Sequence, residues 1–67
     1  MIANDQELNV MLERIAHFQA LVAYLRNVEI NPANYHAEVA GFLAEIDRMQ
    51  LKVREYWSLY PAEIAAN

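Results

Sequence analysis

Glu29-Ile30-Asn31-Pro32-Ala33-Asn34 is the stretch that decides the fold, because it is the one clear break in a chain with one glycine and two prolines among 67 residues. Proline disfavours the α conformation at the residue before it, and Asn-Pro is typical of a helix N-cap followed by the first helical residue. The stretch therefore predicts a short turn over residues 29–33 that joins two helices.

The predicted helices extend outward from this turn towards both ends of the chain. Asn4 and Glu7 form a capping-box pattern in which asparagine replaces serine or threonine, so the first helix should cover residues 5–29. The second helix should cover residues 32–60, since a proline follows and interrupts it. We therefore expect an all-α, two-helix antiparallel hairpin that forms a single domain over residues 1–67.

Apolar residues in both predicted helices are spaced alternately three and four residues apart. This spacing defines the a and d positions of a heptad repeat, which is typical of left-handed helix packing. In the first helix these residues are Leu8, Met11, Ile15, Phe18, Val22 and Leu25. In the second they are Tyr35, Val39, Phe42, Ile46, Met49, Val53, Tyr56 and Tyr60. We expect these two seams to form the contact between the helices.

Each helix carries more apolar side chains than one seam can bury. In a lone hairpin they would form a larger exposed patch than soluble monomers usually show, and two hairpins paired in a four-helix bundle would cover most of them. The predicted homodimer surface contains Leu12, Leu21, Val28, Leu43, Leu51, Tyr56, Trp57, Leu59 and Tyr60. Tyr56 and Tyr60 also occupy seam positions, so this terminal aromatic cluster has two interpretations, as core and as a partner site.

The composition is acidic, with nine Asp and Glu against five Lys and Arg and a net charge of −4. Nucleic acids and anionic membranes are bound through clustered Lys and Arg, so neither is expected as a partner. One basic group could contact RNA, and it consists of Arg48, Lys52 and Arg54. Neither an apolar run of roughly 18 residues nor a secretory signal pattern is present, so a cytoplasmic location is expected.

Few residues could carry chemistry. The chain has no cysteine and one serine, Ser58, with neither histidine near it in sequence. Glu13 and His17 share a face of the first helix, but a carboxylate-bridged metal bundle needs Glu-x-x-His motifs, which neither His17 nor His36 has. We therefore expect no catalytic residue, no metal and no cofactor.

These observations favour a non-enzymatic helical module that binds protein, first of all a second copy of itself. One alternative is a small acidic regulatory partner, such as an antitoxin or an inhibitor that masks a basic protein, which the small size and the pI of about 4.9 support. Another is a bundle that holds an apolar small molecule between its helices. No motif indicates the biological process.

Overall fold

The computed structural model describes residues 1–65, and the side chains of residues 1–63, as three helices. Helix α1 spans Asp5–Val28, α2 spans Pro32–Ser58, and α3 is a short helix over Pro61–Ala65. Helices α1 and α2 pack against each other as an antiparallel hairpin, a rod of 51 × 16 × 12 Å. The predicted all-α hairpin is confirmed, and the described residues contain no strand.

Asparagine side chains cap both long helices. Asn4 Oδ1 accepts a hydrogen bond of 2.8 Å from the Glu7 N–H, while Glu7 Oε2 accepts one of 3.4 Å from the Ala3 N–H. Asn31 Oδ1 accepts from two N–H groups in the first turn of α2, at 2.9 and 3.3 Å. The first N–H groups of a helix have no partner inside it, so these bonds stabilise the helix starts where the sequence predicts them.

Helix α2 ends at Ser58, two residues before the predicted end at residue 60, and Leu59 already has an extended backbone with φ −92° and ψ 133°. The prediction was too long because Pro61 disfavours the α conformation at Tyr60 and has no N–H to donate back into α2. Pro61 instead begins α3, an element that the sequence analysis does not predict. There, Glu63 Oε2 accepts a hydrogen bond of 3.3 Å from the Tyr60 N–H.

The core is built from the two predicted seams and divides into two clusters. The cluster at the open end of the hairpin contains Ile2, Leu8 and Tyr56. The middle cluster contains Ile15, Ile46 and Met49. Towards the turn, Val39 is 2% exposed, and the rings of Phe18 and Phe42 pack with their centroids 5.7 Å apart. Of these residues, Ile2 alone lies outside the seams.

The open end of the hairpin is held by contacts between residues far apart in sequence. Ile2, which precedes α1, is 3% exposed and packs against Leu8 and Tyr56. The Tyr56 hydroxyl donates a hydrogen bond of 2.5 Å to Asp5 Oδ1. This bond, followed by burial and by the negative charge of Asp5, raises the pKa of Tyr56 above its usual value of 10.0. The first turn of α1 is thereby joined to the last turn of α2.

Candidate functional site

The two long edges of the hairpin differ in chemistry. When antiparallel helices pair through a and d positions, the e positions of both line one edge and the g positions line the other. The e positions begin with Asp5 at the open end and include Arg26 and His36 next to the turn. The other e positions are Leu12, Gln19, Leu43, Gln50 and Trp57, which we call the uncharged edge. The g positions are Glu7, Arg14, Leu21, Val28, Glu38, Glu45, Lys52 and Leu59, which we call the charged edge.

The uncharged edge exposes large apolar side chains along its length. Leu12, Leu43 and Trp57 are 41%, 46% and 64% exposed. The residues between them are the amides Gln19 and Gln50; of the charged or titratable e positions, Asp5 lies at the open end and Arg26 and His36 lie next to the turn. The neighbouring b positions include the short side chains Ala16, Ala23 and Ala40 and, nearer the open end of α2, the charged Asp47 and Arg54. Another helix could therefore approach closely beside the alanines, and the charges it meets lie at the border of the edge.

The charged edge offers a poorer apolar contact. Glu38, Glu45 and Lys52 follow one another along α2, and the Glu45 carboxylate pairs with the exposed Arg48. Leu21 and Leu59 are half-buried on this edge. A partner covering it would have to dehydrate several charges, and such a cost often exceeds the Coulombic gain.

The structure distributes the predicted homodimer surface over several parts of the molecule. Leu12, Leu43 and Trp57 come together on the uncharged edge, whereas Leu21, Val28 and Leu59 belong to the charged edge. Leu51 lies on the outer face of α2 and is 53% exposed. The terminal aromatics divide as well, because Tyr56 is in the core while Tyr60, beyond the end of α2, is 71% exposed.

Further exposed apolar residues were not selected from the sequence. Val10 and Tyr24 on α1 are 52% and 62% exposed, and Ile30 in the turn is 95% exposed. The sequence does carry a signal for Val10 and Tyr24, since each directly precedes a seam residue and their shared heptad position puts them on one side of α1. Because Val10 and Tyr24 stand next to core-seam residues in the sequence, their own spacing is easily taken for part of the core seam.

Groups that could carry chemistry are dispersed over the described part of the chain. His17 and His36 are exposed on different helices, and the Ser58 hydroxyl donates to the Glu55 carbonyl at 2.6 Å. Among the residues described, no three His, Asp or Glu side chains are placed to hold a metal ion, and no polar or charged side chain is buried. The described histidines and carboxylates therefore do not converge on one site.

Two carboxyl groups meet at the turn. Glu38 is exposed, but partial loss of hydration, a hydrogen bond with Glu29 and the negative charge of Glu29 together raise the pKa of its carboxyl above the usual value of 4.5. Glu29 Oε1 also accepts a hydrogen bond of 3.1 Å from the Asn31 N–H. The pair therefore brings mutual repulsion to the turn when both groups are ionised.

Comparisons with known proteins give no family for this chain. A scan against protein-family models finds no match, and searches of curated proteins and of solved structures find none either. Over the described residues, no helix has the length and apolar character needed to cross a membrane.

Proposed function

We propose that this protein is a non-enzymatic helical module of the cytoplasm that acts by protein–protein contact. Its first partner is a second copy, bound through the uncharged edge to form a homodimeric four-helix bundle. The exposure of Leu12, Leu43 and Trp57 along one edge, with only amides between them, is the observation that carries this proposal. Burial of apolar surface drives most protein association, and here the charged groups lie at the ends and border of the contact, where they can stay hydrated.

The surface area of the single chain supports the same proposal. The accessible surface is 5180 Å², whereas a compact monomer of 7.7 kDa exposes about 4300 Å². The excess of about 900 Å² is close to the roughly 800 Å² that each partner buries in a standard interface. A side-by-side pairing of two rods would cover surface of this extent.

The small core also favours pairing. Seven apolar side chains are buried over the described residues of the hairpin. A single core in a chain below about 70–80 residues rarely supplies more than a few kcal/mol, and oligomerisation is one of the ways in which short chains gain further burial. A four-helix bundle would place a second apolar layer on the uncharged edge, with Gln19 and Gln50 able to hydrogen-bond between copies.

Sedimentation equilibrium at micromolar concentration tests the proposal. The expected mass is twice the 7.7 kDa of one chain. Gln50→Glu introduces a charge into the middle of the uncharged edge and, by two-fold symmetry, does so twice in one interface, so it should weaken the dimer. Gln6→Glu makes the same chemical change on the exposed side of α1 and is the matched control.

Two outcomes would contradict the homodimer. One is a cooperatively folded monomer whose mass does not change with concentration. The other is equal weakening by Gln50→Glu and Gln6→Glu, because assembly would then depend on total charge and not on the uncharged edge. Native mass spectrometry of protein purified from its host separates the alternatives, since a bound basic protein would favour the regulatory partner and a bound apolar compound would favour the ligand-binding bundle.

A further inference from the structure

Helix α1 carries a second heptad seam that the hairpin leaves uncovered. Its members are Val10, Arg14, His17, Leu21, Tyr24 and Val28, spaced alternately four and three residues apart. We call these six residues the outer seam. The first five each directly precede a residue of the core seam, so the outer seam is displaced by about 100° round the helix. It faces away from the uncharged edge.

The apolar members of the outer seam are accessible. Val10, Tyr24 and Val28 are 52%, 62% and 49% exposed, and Leu21 is half-buried. A shallow groove of about 380 Å³ lies at one end of the seam, lined by Gln6, Glu7, Val10, Met11 and Arg14. Heptad spacing lets the side chains of another helix insert between those of the seam, so the geometry suits a docked α-helix.

The middle of the outer seam is basic, although the whole chain has a net charge of −4. Arg14 and His17 are consecutive members, and none of the six is a carboxylate; Glu7, three residues before Val10, continues the same spacing at the N-terminal end of α1. Arg14 forms no ion pair within the described residues. Glu7, about two turns away, already accepts from the Ala3 N–H. A helix docked here would cover the Arg14 guanidinium, which is costly unless that helix supplies a carboxylate.

A second copy of the outer seam does not supply that carboxylate. In a parallel pairing, Arg14 faces Arg14 of the other copy. In an antiparallel pairing centred between His17 and Leu21, Arg14 faces Tyr24 and His17 faces Leu21. Both arrangements cover two guanidinium groups without an acidic partner. An antiparallel register that brings Glu7 opposite His17 overlaps only residues 7–17 and leaves Leu21, Tyr24 and Val28 uncovered, so the charge pattern selects against self-pairing along the whole seam.

We propose that the outer seam is a docking site for an amphipathic α-helix of another protein. The heptad seam of that helix is apolar except for Asp or Glu opposite Arg14 and His17. Val10, Tyr24 and Val28 provide the apolar contact, while the Arg14–carboxylate pair fixes register and excludes helices that are basic at this point. The site does not depend on the homodimer, because the uncharged edge is on the opposite side of α1.

Two synthetic helical peptides of about three heptads serve as probes. Both have leucine at the seam positions, and the two central seam residues are Glu in one peptide and Lys in the other. Fluorescence anisotropy of labelled peptides should show the Glu peptide binding at least about tenfold more tightly, as expected for a partly desolvated charge pair. Arg14→Glu should reverse this preference, with circular dichroism confirming that the variant is folded.

Tyr24→Ser should weaken binding of the Glu peptide without changing the mass of the protein, while Leu51→Ser, on the outer face of α2, should change neither. Equal binding of the two peptides, or binding of neither, would overturn the proposal. A Tyr24→Ser variant with the mass of a monomer, where the wild type has the mass of a dimer, would overturn it as well, because the outer seam would then be a contact between copies. A monomer that prefers the Glu peptide supports the outer seam and contradicts only the homodimer.

Discussion

Truncation of Leu43 gives the sharpest test of the uncharged edge, because Leu51 provides a matched control on the same helix. The two leucines are 46% and 53% exposed in the single hairpin, so replacing either with alanine removes a similar amount of contact within the chain. In the proposed homodimer only Leu43 becomes covered, since Leu51 lies on the outer face of α2. Any difference between the two variants therefore reports the contact between copies.

The expected size of this difference follows from the exposed fraction of Leu43. Full burial of a leucine side chain is worth about 1.5–3 kcal/mol. Covering the 46% that is exposed is then worth about 1 kcal/mol per copy and about 2 kcal/mol per dimer, since each interface contains Leu43 twice. A loss of about 2 kcal/mol raises the dissociation constant of the dimer roughly 30-fold.

Sedimentation equilibrium and thermal melts over a hundredfold range of protein concentration measure this change. Leu43→Ala should shift the monomer–dimer equilibrium towards monomer and lower the melting temperature most at low concentration, because dissociation is coupled to unfolding. Leu51→Ala should leave the dissociation constant unchanged. Equal dissociation constants for the two variants would refute the reasoning and move the interface away from the uncharged edge.

Three further predictions concern the single hairpin. The raised pKa of Tyr56 means that the neutral phenol favours the folded state, so the wild type should lose stability as the pH rises above 10.0 and through this pKa. Tyr56→Phe has no phenol beside Asp5, so its free energy of unfolding, measured by urea titration, should fall less over the same pH range. Glu38→Gln should raise the melting temperature at neutral pH, with the gain disappearing below about pH 4.5, where the wild-type carboxyl next to Glu29 is protonated. Gly41→Ala should stabilise the protein by about 0.5–1 kcal/mol in urea, because a methyl group at Gly41 meets no atom within 4 Å. A loss of stability in Gly41→Ala would instead show that another helix packs closely there.

The long helices and their contact could be predicted because the signals for them are local. Asn31 before Pro32 indicates the start of α2, and Asn4 with Glu7 indicates the start of α1. In both cases the capping hydrogen bond joins residues within one helical turn. The seams add a repeat that is visible over any two or three turns. Local rules are therefore sufficient for the hairpin itself.

The contacts at the open end could not be predicted in this way. Ile2 is buried because Tyr56 reaches it from the other end of the chain, and the Tyr56–Asp5 hydrogen bond spans 51 residues. No repeat or cap connects these positions. The hydrophobic-staple rule concerns the residue directly before an N-cap, which here is Ala3, so it gives no signal for Ile2.

The candidate surface was partly readable from the sequence. Surplus apolar residues such as Leu43 and Leu21 can be found from composition and spacing alone. Assigning them to different edges requires the orientation of the helices together with the a and d register, because the same heptad letter has opposite consequences in parallel and antiparallel pairs. The hairpin supplies that orientation and separates Leu43 from Leu21.

The uneven distribution of the core predicts which part of the hairpin opens first. Helix ends fray unless they are tied down, and here Ile2 and the Asp5–Tyr56 hydrogen bond hold the start of α1 to the last turn of α2. The two buried clusters lie at the open end and in the middle, and the buried residue nearest the turn on α2 is Val39, so residues 28–35 themselves contain no buried side chain. Because local opening is easiest where few apolar contacts are buried, backbone amides around residues 28–35 should exchange their hydrogens with solvent sooner than those of residues 11–18. Local opening would then begin at the turn, while the start of α1 and the last turn of α2 remain in contact.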